Sequence, residues 1–316
     1  GLRSFDLVTL SGTLRVCEME MVLLGNRNPR AALASRVHDD ALFCSARSDF
    51  AFRGRFMLPL DWCLLGFIHE TSAESWCHGT PLAAGTALSV LPEGISEFVL
   101  SAGTRLTMVL VPLERVRRAF AELDPHSGEL PAHKLALFTT GSAGGEALRQ
   151  RYQRLHERLA AGDAGVFDEG EVDALLKDHL SAALAAGPAD RPQCSRGRRT
   201  HYLILQRAEN FMRSNMRRDI YINEMCDAAG VSERALRYVF DDLLGTSPNR
   251  YLSMLRLCTA CRSLSMADAS RRSVKSIALS CGLWDLSRFA DNYRRVFGEL
   301  PRDTLMRTPP VDAVSN

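Results

Sequence analysis

The sequence predicts an α+β chain: a β-rich barrel or sandwich with flanking helices, then an all-α region holding two helix–turn–helix units. Three observations predict it. Short apolar runs broken by Gly, Pro, Asp and Ser fill residues 5–111, at the spacing of a small antiparallel barrel or sandwich. From His201 onward there is no strand alternation, and the apolar residues recur at helical spacing. Within that helical third, one pattern of helix, glycine, turn, cap and helix occurs twice.

A length of 316 residues favours two domains, and 46% hydrophobic content is ample for packed cores. No apolar run approaches the ~18 residues that span a bilayer. GLRSFDLVTL has no basic segment followed by an apolar stretch, so it does not read as a signal peptide. Nine scattered cysteines without such a leader point to a reduced, cytoplasmic protein in which they are small buried hydrophobes. The net charge of +2 hides a division: residues 1–197 carry −4 and residues 198–308 carry +7. A basic C-terminal third points to nucleic acid or another acidic surface.

The elements follow in order. The clearest strands are VTLSG, EMEMVLLG, LFCSAR, WCLLGFIHE, ALSVLPEG, EFVLSAG and TRLTMVLVP, within a barrel over 5–111. Pro112 opens the helix LERVRRAFAEL, since proline suits a first helical turn. Residues 144–162 place Leu148, Tyr152, Leu155 and Leu159 on one face, and 169–187 place Val172, Leu175, Leu176, Leu180 and Leu184 on one face. Each amphipathic helix either packs on its own barrel or meets its copy in a second subunit. Residues 1–186 then read as a sensor or dimerisation domain. GPADRPQCSRGRRT, 187–200, lacks apolar periodicity and reads as a linker to a domain over 201–308.

In the last domain INEMCDAAGVSERALRYVF and VKSIALSCGLWDLSRFADNYRRVF share one grammar. Gly230 and Gly282 stop a short helix, because glycine tolerates the left-handed conformation. Ser232 and Asp285 are N-cap candidates for the next helix. In the first unit Leu236, Val239, Phe240 and Leu243 face inward, so Arg234, Arg237 and Tyr238 face out. In the second Phe289, Tyr293 and Val296 face inward, while Ser287, Arg288 and Asp291 face out. A helix–turn–helix inserts its second helix into the DNA major groove, N-terminal half first, where an Arg fork matches a guanine edge. Those six residues are candidate base readers, and Arg294 and Arg295 are placed for phosphates. Glu233, Asp241 and Asp242 weaken the field at the far end of the first recognition helix.

GVSERALRYVFDDLLGTSPNRYLSMLRLCTACRSL resembles the first half of the DNA-binding domain of AraC/XylS-type transcriptional regulators. VKSIALSCGLWDLSRFADNYRRVFGELP resembles its second half, including the FGxxP signature at Phe297, Gly298 and Pro301. The resemblance covers roughly residues 201–307. It implies two units held by a middle helix opened by Ser247 and Pro248, reading successive major-groove segments. Tyr221 departs from it, standing where a small polar cap begins the first scaffold helix; Leu283 replaces a common Phe, and Trp284 follows, assigned to packing. SWCHGTPLAAGTALSVLPEG is similar to a segment of a cupin-type barrel, which makes the first domain cupin-like and implies a small effector or a dimer contact.

Other sites carry less. His69 and His78, with His38 and Glu70, lie in the barrel region, but no close His-x-His pair suggests a metal. Cys258 and Cys261 form a CxxC inside the middle helix with no second pair, and read as packing between the two units. No GxSxG, Walker loop or GxGxxG occurs, and no catalytic residue or cofactor is assigned. Phe43, Phe56, Trp62, Phe67, Trp76 and Phe98 are candidates to line an effector pocket. The expectation is a DNA-binding transcription regulator, not an enzyme. It acts as a homodimer through its N-terminal domain on double-stranded DNA, with a small effector, RNA polymerase as partner if it activates, and no membrane. Two alternatives stay open: a metal-dependent cupin-type enzyme fused to a DNA-targeting module, and an N-terminal domain that is only a protein scaffold.

Overall fold

A computed structural model describes residues 3–6, 18–25, 29–141, 145–162, 167–168 and 170–307. The strand expected at VTLSG lies outside the described residues. The N-terminal strands are β1 (Arg3–Asp6), β2 (Glu18–Leu23), β3 (Arg30–His38), β4 (Ala41–Ser48), β5 (Phe52–Met57) and β6 (Trp62–Glu70). They continue as β7 (Trp76–Cys77), β8 (Thr80–Pro81), β9 (Thr86–Val90), β10 (Ser96–Leu100), β11 (Arg105–Pro112) and β12 (Leu137–Thr139). They form a seven-stranded sheet in the order β1-β3-β4-β11-β6-β9-β12 and a five-stranded sheet in the order β2-β5-β10-β7-β8. Every pairing among the described residues is antiparallel, and none joins one sheet to the other, so the β domain is two facing sheets without closure.

Both faces of the larger sheet are covered. That is why β6 reads as the nearly unbroken apolar run WCLLGFI instead of alternating. Its outer face packs under α1 (Leu113–Leu123), α3 (Glu146–Ala161) and α4 (Glu171–Ala185), with the short α2 (Ala132–Leu135) beside them. Phe67 stacks on Tyr152, ring centroids 5.1 Å apart, and Phe43 stacks on Phe167 at 4.7 Å. The apolar stripes of α3 and α4 are therefore buried against their own sheet.

The C-terminal part begins earlier than its sequence suggests. Residues 196–200, expected in the linker, form the first turn of α5 (Arg196–Ser214), because Ser195 accepts the Arg198 amide as an N-cap. The segment before it is anchored: Arg191 donates to the Ala183 and Ala186 carbonyls that end α4. Then follow α6 (Ile222–Ala229), α7 (Glu233–Leu244), α8 (Pro248–Met266), α9 (Val274–Ser280), α10 (Leu286–Phe297) and α11 (Pro301–Met306).

These helices dock on the outer face of the smaller sheet. Val22, Trp76 and Val99 share a core with Tyr202, Leu205 and Met212 of α5. Between these apolar residues lie three guanidinium groups and three carboxylates. Arg53, 1% exposed, donates to both oxygens of Glu209 at 3.1 and 2.7 Å and lies over the Trp76 ring. Arg55 pairs with Glu97 at 2.9 Å, and Arg213 with Glu20 at 2.6 Å. Tyr251 donates to Glu209 at 2.5 Å, and Tyr202 donates to Glu97. Burial works against each charge, yet Arg53 and Arg213 hold the Glu209 carboxyl below its ordinary range. The charges balance, as a dry interface requires.

Candidate nucleic-acid interface

In the first unit α6 ends at Gly230, whose φ of 71° is left-handed. Ser232 then caps α7 by accepting the Ala235 amide at 3.3 Å. Leu236, Val239, Phe240 and Leu243 are buried, which fixes the rotation of α7 and leaves Arg234, Arg237 and Tyr238 exposed. Arg234 has no ion-pair partner among the described residues. Arg237 is held by Glu233 one turn back, at 2.6 and 2.8 Å. Tyr238 meets the His201 ring edge-on at 5.4 Å, and His201 in turn contacts Asp242 at 2.8 Å. This steers the phenol toward the α5 side of the helix. Tyr221 provides no side-chain cap to α6; Glu224 instead reaches back to accept the Tyr221 amide at 2.9 Å.

The second unit repeats the geometry. Gly282 has a φ of 73°, and Asp285 accepts the Arg288 amide at 3.0 Å to cap α10. Phe289, Tyr293 and Val296 are buried, so Ser287, Arg288, Asp291, Arg294 and Arg295 are exposed. Gly298 stops α10 in the left-handed conformation and Pro301 opens α11, which explains the FGxxP spacing. Tyr293 and Thr304 then tie the two helices at 2.8 Å.

The middle helix α8 runs between the units. Its cysteines divide their contacts. Cys261 hydrogen-bonds Tyr293 of the second unit, whereas Cys258 takes a hydrogen bond from the Leu23 backbone of β2, with burial pushing its thiol up to about 12. Cys258 thus packs on the β domain, not between the two units as its position in the helix suggests, because α8 covers the free edge of β2.

The aromatic residues proposed from sequence do not converge on one pocket. A cavity of about 280 Å³ lies between the sheets, and of the six only Phe56 and Phe98 line it. Phe43 and Phe67 point from the opposite face of the larger sheet into the α3 core. Trp62 packs in a small cluster with Leu58, Leu64 and Leu110. Trp76 faces α5 and donates its indole N–H to the Leu243 carbonyl at 3.0 Å. The cavity wall is instead mostly aliphatic, with Met19, Met21, Leu33, Leu106 and Met108 prominent. Strict alternation along β4 and β11 is the signal that finds it: Leu42, Cys44 and Ala46 face in while Phe43 and Ser45 face out.

Four histidines of the N-terminal part, His69, His78, His156 and His179, lie against hydroxyls. His69 lies 2.9 Å from the Thr107 oxygen, His156 lies 2.5 Å from Ser45, and His78 is 3.1 Å from the Tyr202 oxygen. Fully buried His179 lies between Ser89 at 2.9 Å and Tyr152 at 3.0 Å, and burial pushes its pKa down to about 3. Among the described residues no group of three or more His, Cys, Asp or Glu is placed to hold a metal ion. No helix among them is long and apolar enough to cross a membrane.

Comparison with known proteins agrees with the duplicated geometry. A helix–turn–helix domain family model matches residues 225–307. The XylDLEGF operon transcriptional activator 1 of Pseudomonas putida is 38% identical over 102 residues, which is 32% of this chain and 31% of that protein. A probable thc operon regulatory protein of Rhodococcus erythropolis is 30% identical over 106 residues, 34% of this chain and 32% of that protein. The chain thus spans about a third of the length of these relatives. Among solved structures, a probable AraC family transcriptional regulator from Rhodopseudomonas palustris CGA009 is 34% identical, with 34% of this chain and 98% of that one covered at a TM-score of 0.30. The AraC-like transcriptional activator CuxR covers 80% of this chain and 94% of its own at 12% identity, with a TM-score of 0.45. With two capped recognition helices joined by one middle helix, the C-terminal domain of this chain belongs to the AraC/XylS type of helix–turn–helix domains.

Proposed function

We propose that the protein is a DNA-binding transcription regulator that reads two successive major-groove segments with α7 and α10. The observation that carries this reading is the matched pair of caps and outward faces. Ser232 and Asp285 start the two helices alike, and each helix presents an exposed Arg within its first turn and a half. On α7 the base-reading set is Arg234, Arg237 and Tyr238; on α10 it is Ser287, Arg288 and Asp291, with Arg294 and Arg295 toward phosphates.

The cavity between the sheets supports a small apolar effector. Its wall is mostly apolar, with Arg36 and Arg47 among the lining residues, and at about 280 Å³ it is roomier than the roughly 150 Å³ cavity that binds benzene in another protein. Of the aromatic set expected from sequence, this reading keeps Phe56 and Phe98 and adds the aliphatic lining. Dimerisation through the N-terminal domain belongs to the same reading. With α3 and α4 occupied by their own sheet, the apolar side chains available to such a contact include Met57, Leu60 and Ile95, which are exposed on the β domain. An activator of this kind also meets RNA polymerase.

Selection of random duplexes on the full chain tests the proposal. The expected result is enrichment of a site with two short conserved blocks about one helical turn apart. Retention of no duplex even at low salt would refute it.

A further inference from the structure

A valley runs along the middle helix α8, bordered by the start of α6 in the first unit and by α10 with the turn before it in the second. One end is lined by Tyr221 and Asn223 at the start of α6. The other is lined by Trp284, Arg288 and Arg295. Both ends share Asn249, Ser253 and Arg256 of α8, so the two hollows meet at the middle helix.

Its chemistry is one-sided. Arg250, Arg256, Arg288 and Arg295 supply cations. The one carboxylate on its walls among the described residues is Asp285, already engaged as the α10 cap. Arg250 is exposed and has no ion-pair partner among the described residues. Two large aromatic side chains stand open at the ends, Tyr221 at 65% exposure and Trp284 at 56%. Trp284 is therefore not the packing residue its position in the turn suggests. An indole offers an apolar face and one N–H donor but no acceptor, which suits a sugar and a phosphate oxygen and has little value to a residue merely facing water.

We infer that this valley is a third DNA contact, in which α8 and Trp284 grip the sugar–phosphate backbone between the two major-groove segments. A duplex read by both units must pass over α8, and its backbone presents there the negative charge that the valley complements. The first helix of such a unit ordinarily crosses the backbone, and Tyr221 begins that helix. Contacts of this kind set register and orientation but carry no base preference. Arg250 and Trp284 are accordingly positioning residues, distinct from the readers on α7 and α10.

This inference rests on the proposed DNA-binding function, and one experiment separates the two. The probes are a duplex enriched from a random pool by the wild-type full chain and a scrambled duplex of the same composition. Hydroxyl-radical cleavage with wild type is expected to show protected backbone between the two major-groove segments. Arg250→Ala, Arg250→Lys and Trp284→Ala full chains are then compared. Arg250→Ala is expected to weaken both duplexes by about tenfold and to lower the slope of log affinity against log salt by about 1. Arg250→Lys retains the slope, and Trp284→Ala loses the intervening protection. Thermal unfolding of each variant, with Arg250→Gln as a second exposed substitution, controls for folding. Wild-type protection confined to two separate segments, or variants with unchanged affinity and slope, overturns the inference alone. Failure of wild type to bind any duplex removes both readings.

Discussion

Arg234 and Arg237 occupy the same face of α7, but only Arg237 is tied to a neighbour, through Glu233. Arg234 is therefore the cleaner probe of base reading. Arg234→Ala or Arg288→Ala should cost roughly 1–3 kcal/mol on the selected site and relax preference at one base position. Equal losses on selected and scrambled duplexes would make these residues phosphate contacts. Fully buried His179 and half-buried His69 yield a second prediction at this scale. Burial pushes His179 down to about 3; burial, then the charges of His156 and Arg105, push His69 to about 3. The unfolded chain binds a proton at each near its ordinary value of about 6.5, while the folded chain does not. Their contribution is thus present above about pH 6.5 and is lost as pH falls toward 3. The midpoint of urea unfolding should drop between pH 7 and pH 5, and His179→Gln should flatten that drop. An unchanged slope would show that His179 is protonated in the fold. Neither histidine was legible as a core residue, since its partners, Ser89 and Tyr152 for one and Thr107 for the other, sit on different elements.

At the scale of elements, the duplicated helix–turn–helix pattern was readable because its signals are local. Each glycine, cap and apolar repeat lies within a few residues of the next. The two turns nevertheless differ in a way that sequence hides. Gly230 and Gly282 have nearly equal left-handed φ values, 71° and 73°. A Cβ at Gly230 meets nothing within 4 Å, whereas one at Gly282 falls 2.1 Å from the Met216 carbonyl oxygen. Gly230→Ala should cost only the left-handed strain, about 1–2 kcal/mol. Gly282→Ala adds a backbone clash and should cost distinctly more in thermal or denaturant unfolding. Equal losses would mean that the Met216 segment yields freely. The strands were harder to read. β3 (RAALASRVH) is rich in Ala and Ser, and β5 (FRGRFM) alternates Arg with Gly, so neither resembles an apolar strand. In β5 the absent side chain of Gly54 makes room for the Phe98 ring, where a Cβ would fall 2.2 Å from a ring carbon, and Arg53 turns outward to a helix far along the chain. Sequence places charges in water by default, and only the fold shows that these are dry.

Over the whole molecule, the same charged sheet face decides how the reader domain is held. Glu209 of α5 takes two hydrogen bonds from Arg53 and one from Tyr251, so sheet, first helix and middle helix meet at one carboxylate. Arg53→Met should leave Glu209 and Glu97 without their shared buried partner and cost about 3–5 kcal/mol in denaturant unfolding. A loss below about 1 kcal/mol, typical of an exposed pair, would show that water reaches this interface. The boundary between the halves is for this reason less of a break than the polar segment 187–200 suggests. On the other edge of the same sheet, β2 turns Met19 and Met21 toward the intersheet cavity while its backbone rests against Cys258 of α8. A ligand that swells the cavity displaces the very strand on which the bridge between the two recognition helices leans. If the cavity holds the effector proposed above, selections for alleles active without it should return bulky replacements of these two methionines, far from any nucleotide.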